Sequence, residues 1–225
     1  MYLADQEPRI WKERKCGAEA LTSAYLRLGR QEDVNLVWSR VATEDRRGNW
    51  AVASHQLAAD AIYSGYEALT LRASRPAELL DQIRELQDIQ WIVCHRLRKG
   101  SSAGHFSLLT SVDRDVVQTD AKSASQDRER EIIEYAKRDF LELWTRQKRG
   151  DEFRAGVVIG ISQLDSATAG QPARHPSGIP AATNCLRCGA TFPVGLLRRI
   201  FASENSVGAR GWAAVYCPYC DAAHR

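Results

Sequence analysis

Four cysteines near the C-terminal end constrain this chain more than any other feature. Cys185-Leu-Arg-Cys188-Gly and Cys217-Pro-Tyr-Cys220-Asp are two C-x-x-C pairs separated by 28 residues. A tight knuckle puts both sulfurs of a pair on one ion, and four thiolates make a tetrahedral set suited to zinc. Gly189 and Pro218 fit knuckle geometry. A module this small has little core, so structural Zn2+ is the expected cofactor and the main source of its folding energy. The interval is long for a minimal zinc ribbon. It predicts an inserted helix around 196–201 and a strand over 210–216 (RGWAAVY) leading into the second pair.

The other two cysteines, Cys16 and Cys94, lie far apart in the sequence, so the six do not read as a disulfide framework. Residues 165–183 (DSATAGQPARHPSGIPAAT) are rich in Ala, Pro, Gly, Ser and Thr and bury almost nothing, the composition of a linker. The expected organisation is a main domain over 1–163, a linker over 164–183 and a four-cysteine, zinc-ribbon-like module over 184–225. Formal charge is +3, and on either side of Gly150 the balance is even, 24 basic to 23 acidic before it and 7 to 5 after. A dedicated DNA binder would carry a far larger basic excess. No apolar run approaches the roughly 18 residues of a membrane span, and the N-terminus lacks a basic stretch followed by an apolar one. A cytoplasmic location and no membrane partner are therefore expected.

Within 1–163 the first half has helical periodicity and the second half strand composition. Ala18, Leu21, Ala24, Tyr25 and Leu28 form one stripe ending at Gly29. Further helices are predicted over 55–63 and over 76–86, the latter with Ser74 as N-cap and Leu79, Leu80, Ile83 and Leu86 inward. Residues 90–94 (QWIVC), 106–112 (FSLLTSV), 115–119 (DVVQT) and 156–161 (GVVIGI) read as strands. A charged helix is predicted to bury Ile132, Ile133, Ala136, Phe140, Leu143 and Trp144. Helices first and strands later is an α+β pattern, not a doubly wound parallel sheet.

Cys16 opens the first helix and is followed by Gly17. Unpaired amides and the helix dipole at that end favour a thiolate, and Lys12, Arg14 and Lys15 add positive charge. Gly17 leaves room for a substrate backbone. A base is then needed, and His105 is best placed, at the head of a strand behind the glycine-bearing segment 99–104. Asp120 ends the next strand and is the candidate to orient it, with Asp113 and Asp115 left in the turn between. Cys94, mid-strand, reads as packed core. His95 reads as a partner for a carboxylate, His55 as a helix-surface residue, His175 as linker and His224 as a spare ligand beside the four cysteines.

The segments CGAEALTSAYLRLG (16–29), GNWAVASHQLAADAIYSGYEA (48–68), GHFSLLTSVD (104–113) and VVQTDA (116–121), in this order and spacing, resemble the papain-like peptidases that process bacteriocin precursors by cutting leader peptides after a double glycine. The resemblance covers nearly all of 1–163. It implies a papain-like fold, N-terminal helices against a C-terminal antiparallel sheet. It also implies a Cys-His-Asp triad of Cys16, His105 and Asp120 that hydrolyses a peptide or isopeptide bond. The family places an oxyanion-stabilising Gln about six residues before the cysteine. Here that position is Ile10, and Gln6, ten residues before Cys16, is the candidate in its place. The backbone N–H of Cys16 supplies one donor in any case.

For the four-cysteine module, recruitment of a protein substrate or adaptor is the expected role. Arg198, Arg199 and Arg210 with Phe192, Phe201, Trp212 and Tyr216 have the chemistry to hold nucleic acid, or the aromatics form the module's own core. The small basic excess makes nucleic acid the less favoured partner; residues 184–225 hold five Arg and two acids. Two other functions stay open: acyl transfer to an amine on the same triad, and a peptidase-like adaptor acting through its zinc module.

Overall fold

The computed structural model describes residues 15–44, 48, 50–101, 103–120, 132–147, 153–164, 179–201 and 211–224. In chain order the main elements are α1 (Cys16–Arg27), α2 (Val34–Val41), β1 (Ala42–Glu44), β2 (Trp50–Val52), α3 (Ser54–Tyr63), β3 (Tyr66–Ala73), α4 (Pro76–Glu85), β4 (Gln90–His95), β5 (His105–Val112), β6 (Val116–Asp120), β7 (Ile132–Ala136), α5 (Lys137–Thr145) and β8 (Val157–Gln163). The cysteine-bearing segment adds β9 (Ala182–Asn184), β10 (Thr191–Pro193), α6 (Leu196–Ile200), β11 (Trp212–Tyr216) and β12 (Ala223–His224).

Eight strands form one sheet in the order β12-β11-β3-β8-β4-β5-β6-β7. Every neighbouring pair is antiparallel. The α+β class expected from the sequence is the class observed. Period-two alternation divides the strands between two cores. On one face Ile92, Cys94, Phe106, Leu108, Ile159 and Ile161 meet α1, α2 and α3. On the other Trp91, Val93, Leu109, Val117 and Val158 meet α4, α5 and the cysteine-bearing segment.

That segment does not stand apart. β11 extends the main sheet along β3, with Val215 opposite Leu71 and Tyr216 opposite Thr70. Phe192, Leu196, Leu197, Ile200, Phe201 and Val215 belong to the same apolar cluster as Leu71, Leu80 and Trp91. Its folding therefore draws on apolar burial shared with the main sheet as well as on anything the cysteines bind. Of the 164–183 linker, residues 165–178 lie outside the described residues, as do His175, Lys12, Arg14, Ile10 and Gln6.

Several local expectations change. Residues 132–136 form β7 on the edge of the sheet instead of the first turns of a helix; the helix begins at Lys137. The run IIEYA is β-branched at its head, and β6 supplies hydrogen-bond partners that helical periodicity cannot reveal. The helix over 76–85 has Arg75, not Ser74, at its N-cap and no side-chain cap. Its Pro76 at the first helical position fixes the entry instead. Helix α2 has no counterpart among the expected elements, although Asp33 caps it, its Oδ1 accepting from the N–H groups of Asn35 (2.8 Å) and Leu36 (3.2 Å). Strand β3 has none either, and it holds β8 and β11 together.

Candidate active site

Helix α1 aims its N-terminus at the head of β5. Cys16 is its first residue, and the backbone N–H of Phe106 donates to Cys16 Sγ at 3.5 Å. His105 is the residue immediately before Phe106 and opens β5, opposite His95 of β4. The two imidazoles stand edge to face with ring centroids 6.1 Å apart. Asp120 ends β6, antiparallel to β5, and is buried; its register partner is Leu108, three residues along from His105. The fold thus brings Cys16 to the head of the His105 strand and sets Asp120 on the neighbouring strand.

At Gly17 a Cβ would lie 3.0 Å from Val52 and 3.2 Å from the Phe106 ring, so the glycine lets α1 close onto β2 and β5. The Lys15 ammonium donates to Asn35 Oδ1 at 2.9 Å and lies 6.0 Å from the Trp38 ring.

The electrostatics of Cys16 also run against the sequence expectation. Burial pushes its thiol up to about 11, against the pull of the Phe106, Gly17 and Cys16 amides, and Glu19 pushes the same way as burial. Removing sulfur from water outweighs those amide contacts. The resting group is a thiol. Cys94 is packed, as expected, and its thiol is raised well above its ordinary value by burial and by Cys16 beside it.

Among the described residues His95 has no carboxylate partner. Its Nδ1 contacts the Arg96 carbonyl at 2.9 Å and its Nε2 the Ser107 hydroxyl at 3.0 Å. A carbonyl only accepts, so Nδ1 carries the proton and the serine donates to Nε2. Burial, with His105 adding to it, lowers His95 to about 4 despite the Arg96 contact. His55 is not an open surface residue; its Nδ1 stands 3.4 Å from Asp221 Oδ1.

Cys16 opens onto a cavity of about 640 Å³. Its walls come from β2, from Cys94 and Gly104, from Phe153 and Arg154, and from Tyr216 and Asp221 of the cysteine-bearing segment. That volume is within the range of binding clefts for a short peptide or small ligand.

The four cysteines converge as their spacing predicts. The sulfurs of Cys185, Cys188, Cys217 and Cys220 all lie within 4.8 Å of one another. Cys185 and Cys220 are 3.5 Å apart, and Cys188 and Cys217 3.8 Å. Zinc–sulfur bonds of about 2.3 Å in a tetrahedron need sulfurs about 3.8 Å apart, so the set fits such an ion. Both knuckles close alike, with Gly189 N–H on Cys185 O (2.8 Å) and Asp221 N–H on Cys217 O (3.0 Å). Burial opposes ionisation of Cys185, yet the amides of Cys188 and Arg187, with the side chains of Cys220 and His224, draw it down to about 5. His224 is not one of the four converging ligands.

The residues considered for nucleic-acid contact are mostly occupied in packing. Phe192 and Phe201 are buried, and Phe201 packs on Trp212 at 5.1 Å. Arg198 is buried and donates to the Ile179 carbonyl at 2.9 Å. Arg199 pairs with Asp88 and donates to Ser162 Oγ. Arg210 is outside the described residues. Among the described residues no helix is long and apolar enough to cross a membrane.

No protein-family model matches the chain, and no curated protein matches it. Among solved structures it is similar to the peptidase domain of Streptococcus ComA, a bifunctional ABC transporter involved in a quorum-sensing pathway. The identity there is 14% and the TM-score 0.48, over 68% of this chain and 93% of that one. It is also similar to a double glycine motif protease from an AMS/PCAT transporter, solved with its leader peptide. In that case the identity is 12% and the TM-score 0.44, over 66% of this chain and 84% of that one.

Proposed function

We propose that this protein is a papain-like cysteine peptidase acting on a peptide or isopeptide bond, with Cys16 as nucleophile, His105 as base and Asp120 as the group that orients His105. The observation that carries this reading is the placement of Cys16. It stands at a helix N-terminus, 3.5 Å from the amide that follows His105, on a cavity with room for a peptide. Because the resting thiol is neutral, attack and proton transfer are coupled. His105 takes the thiol proton as sulfur bonds to the carbonyl carbon. The carbon–nitrogen bond then breaks, with His105 returning the proton to the leaving amine. Water attacks the thioester, losing a proton to His105, and frees the carboxylate product and the thiol. The Cys16 backbone N–H, at the first turn of α1, is a donor for the developing oxyanion. Gln6 is the side-chain candidate for the second.

In this reading residues 1–163 carry the chemistry, and 184–225 hold structural zinc on Cys185, Cys188, Cys217 and Cys220 and recruit a protein substrate or adaptor. Bound zinc would supply a fixed tetrahedral anchor for the two knuckles and no reaction step. The test is hydrolysis of a fluorogenic peptide library by the full chain. Wild type should cut, Cys16→Ala should not, and His105→Ala should cut far more slowly, both variants keeping wild-type circular dichroism. Equal turnover by Cys16→Ala, or none by wild type, overturns the assignment.

A further inference from the structure

A charged cluster joins the second cysteine knuckle to the cleft. Asp221 closes that knuckle with a left-handed backbone, φ 60°. The matching residue of the first knuckle is Gly189, φ 75°, so the turn itself asks only for conformational freedom. Asp221 brings a carboxylate as well. Its two oxygens accept from Arg154 Nη1 at 2.7 Å and Nη2 at 2.6 Å, and His55 Nδ1 lies 3.4 Å away. The same guanidinium lies over the Tyr216 ring, 4.9 Å from its centroid. Arg154, Tyr216 and Asp221 all face the cavity that holds Cys16. The residue before Arg154 continues the path. Phe153 packs so tightly on Gly104 that a Cβ there would sit 2.6 Å from it, and Gly104 immediately precedes His105.

We propose that Asp221 is a positioning residue that couples metal capture at the four cysteines to the shape of the cleft, by holding Arg154 and Phe153 against the turn that carries His105. The consequence for turnover rests on the peptidase reading; the coupling itself does not. An ion pair as exposed as this one adds little to global stability. Its use is geometric, because a two-pronged contact stacked on an aromatic ring fixes both distance and orientation. The backbone over 217–221 holds its place when the sulfurs are held together, and Asp221 transmits that place to the cleft wall. Coupling of this kind is reciprocal. Loosening the cleft side must weaken metal binding by the factor that metal loss loosens the cleft.

The experiment uses the full chain with zinc as probe, and Arg154→Ala, which alters no cysteine. Zinc affinity is read by competition with a chromophoric chelator. Alkylation of Cys16 by iodoacetamide is read by mass spectrometry of its peptide, which separates it from the other five cysteines. Arg154→Ala should bind zinc about five-fold or more weakly, and stripping zinc from wild type should change the rate of Cys16 alkylation. With a fluorogenic peptide, Arg154→Ala should raise KM more than it lowers kcat. Arg154→Lys and Asp221→Asn, which keep the charge or the turn, should fall between, and they replace Arg154→Ala if that variant does not fold. Zinc affinity within about two-fold of wild type in all three variants, or Cys16 alkylation indifferent to zinc, overturns the proposal. Coupled zinc affinity and alkylation without hydrolysis of any peptide would overturn the peptidase reading and leave the coupling standing.

Discussion

Phe106 and Cys16 are 90 residues apart in the chain, yet the Phe106 amide donates to the Cys16 sulfur at 3.5 Å. This contact seats the end of α1 on the head of β5, and it places the nucleophile of the proposed reaction one residue from its proposed base. It also belongs to a buried environment, and that burial governs the acidity of the sulfur.

In the resting protein, Cys16 should be alkylated slowly at neutral pH, with the rate rising toward a midpoint near the buried value of about 11. The thiolate is the reactive form, and its fraction grows only as pH climbs toward that value. Iodoacetamide labelling across pH, read on the Cys16 peptide, checks this. A plateau already reached by pH 7 would mean an ion pair with His105 has overridden desolvation.

His105→Ala should lower kcat by a factor of about 10² to 10⁴, the usual worth of general acid–base catalysis. Asp120→Asn should also lower kcat while leaving KM near wild type, because a carboxylate that orients the base acts on the reacting atoms and not on substrate binding. Steady-state kinetics on one fluorogenic peptide measures both. An Asp120→Asn enzyme with unchanged kcat would remove Asp120 from the triad.

His95 should make the protein acid-sensitive. The folded state keeps it neutral down to about 4, whereas an unfolded chain takes up a proton near 6.5. The unfolded state therefore binds more protons between those values, so this contribution is complete above pH 6.5 and is lost as pH falls toward 4. The loss amounts to about 3 kcal/mol. Urea denaturation at pH 7 and pH 4.5, compared between wild type and His95→Gln, isolates it. The variant should show the smaller fall, and equal falls would assign the acid sensitivity elsewhere.

Gly104→Ala should destabilise the fold by about 1–3 kcal/mol through overpacking. The added methyl would lie 2.6 Å from the Phe153 Cβ and 2.8 Å from the Cys94 sulfur, neither of them the free end of a long side chain. Denaturant midpoints measure the cost. A variant as stable as wild type would show that Phe153 withdraws freely.

Zinc should be present at one ion per chain by elemental analysis, and Cys217→Ser should lower both zinc content and melting temperature. The sulfurs are already within 4.8 Å of one another, so little rearrangement is needed to hold an ion. Full zinc content in Cys217→Ser would mean the metal resides elsewhere.

Elements whose residues carry their own periodicity are legible in the chain. The stripe from Ala18 to Leu28 becomes α1, Leu79, Leu80 and Ile83 become the buried face of α4, and QWIVC and FSLLTSV become β4 and β5. The convergence of the four cysteines is legible too, since C-x-x-C spacing is a local geometric demand. Ile132–Ala136 reads as helix but folds as strand because its state is decided by hydrogen bonds to β6, which lie outside any local window. Tyr66–Ala73 is hidden for the same reason, its partners coming from residues 157–163 and 212–216.

By itself, then, the sequence determined the α+β class, the helix that begins at Cys16 and the four-sulfur cluster, all properties of short-range pattern and chemistry. The tertiary structure alone decided that the thiol of Cys16 is raised and not lowered, because desolvation is set by what packs around a group and not by its neighbours in the chain. It also decided that β11 joins the main sheet and that Asp221 reaches Arg154 at the cleft, since strand pairing and ion pairing between distant segments arise only once both are brought to the same place.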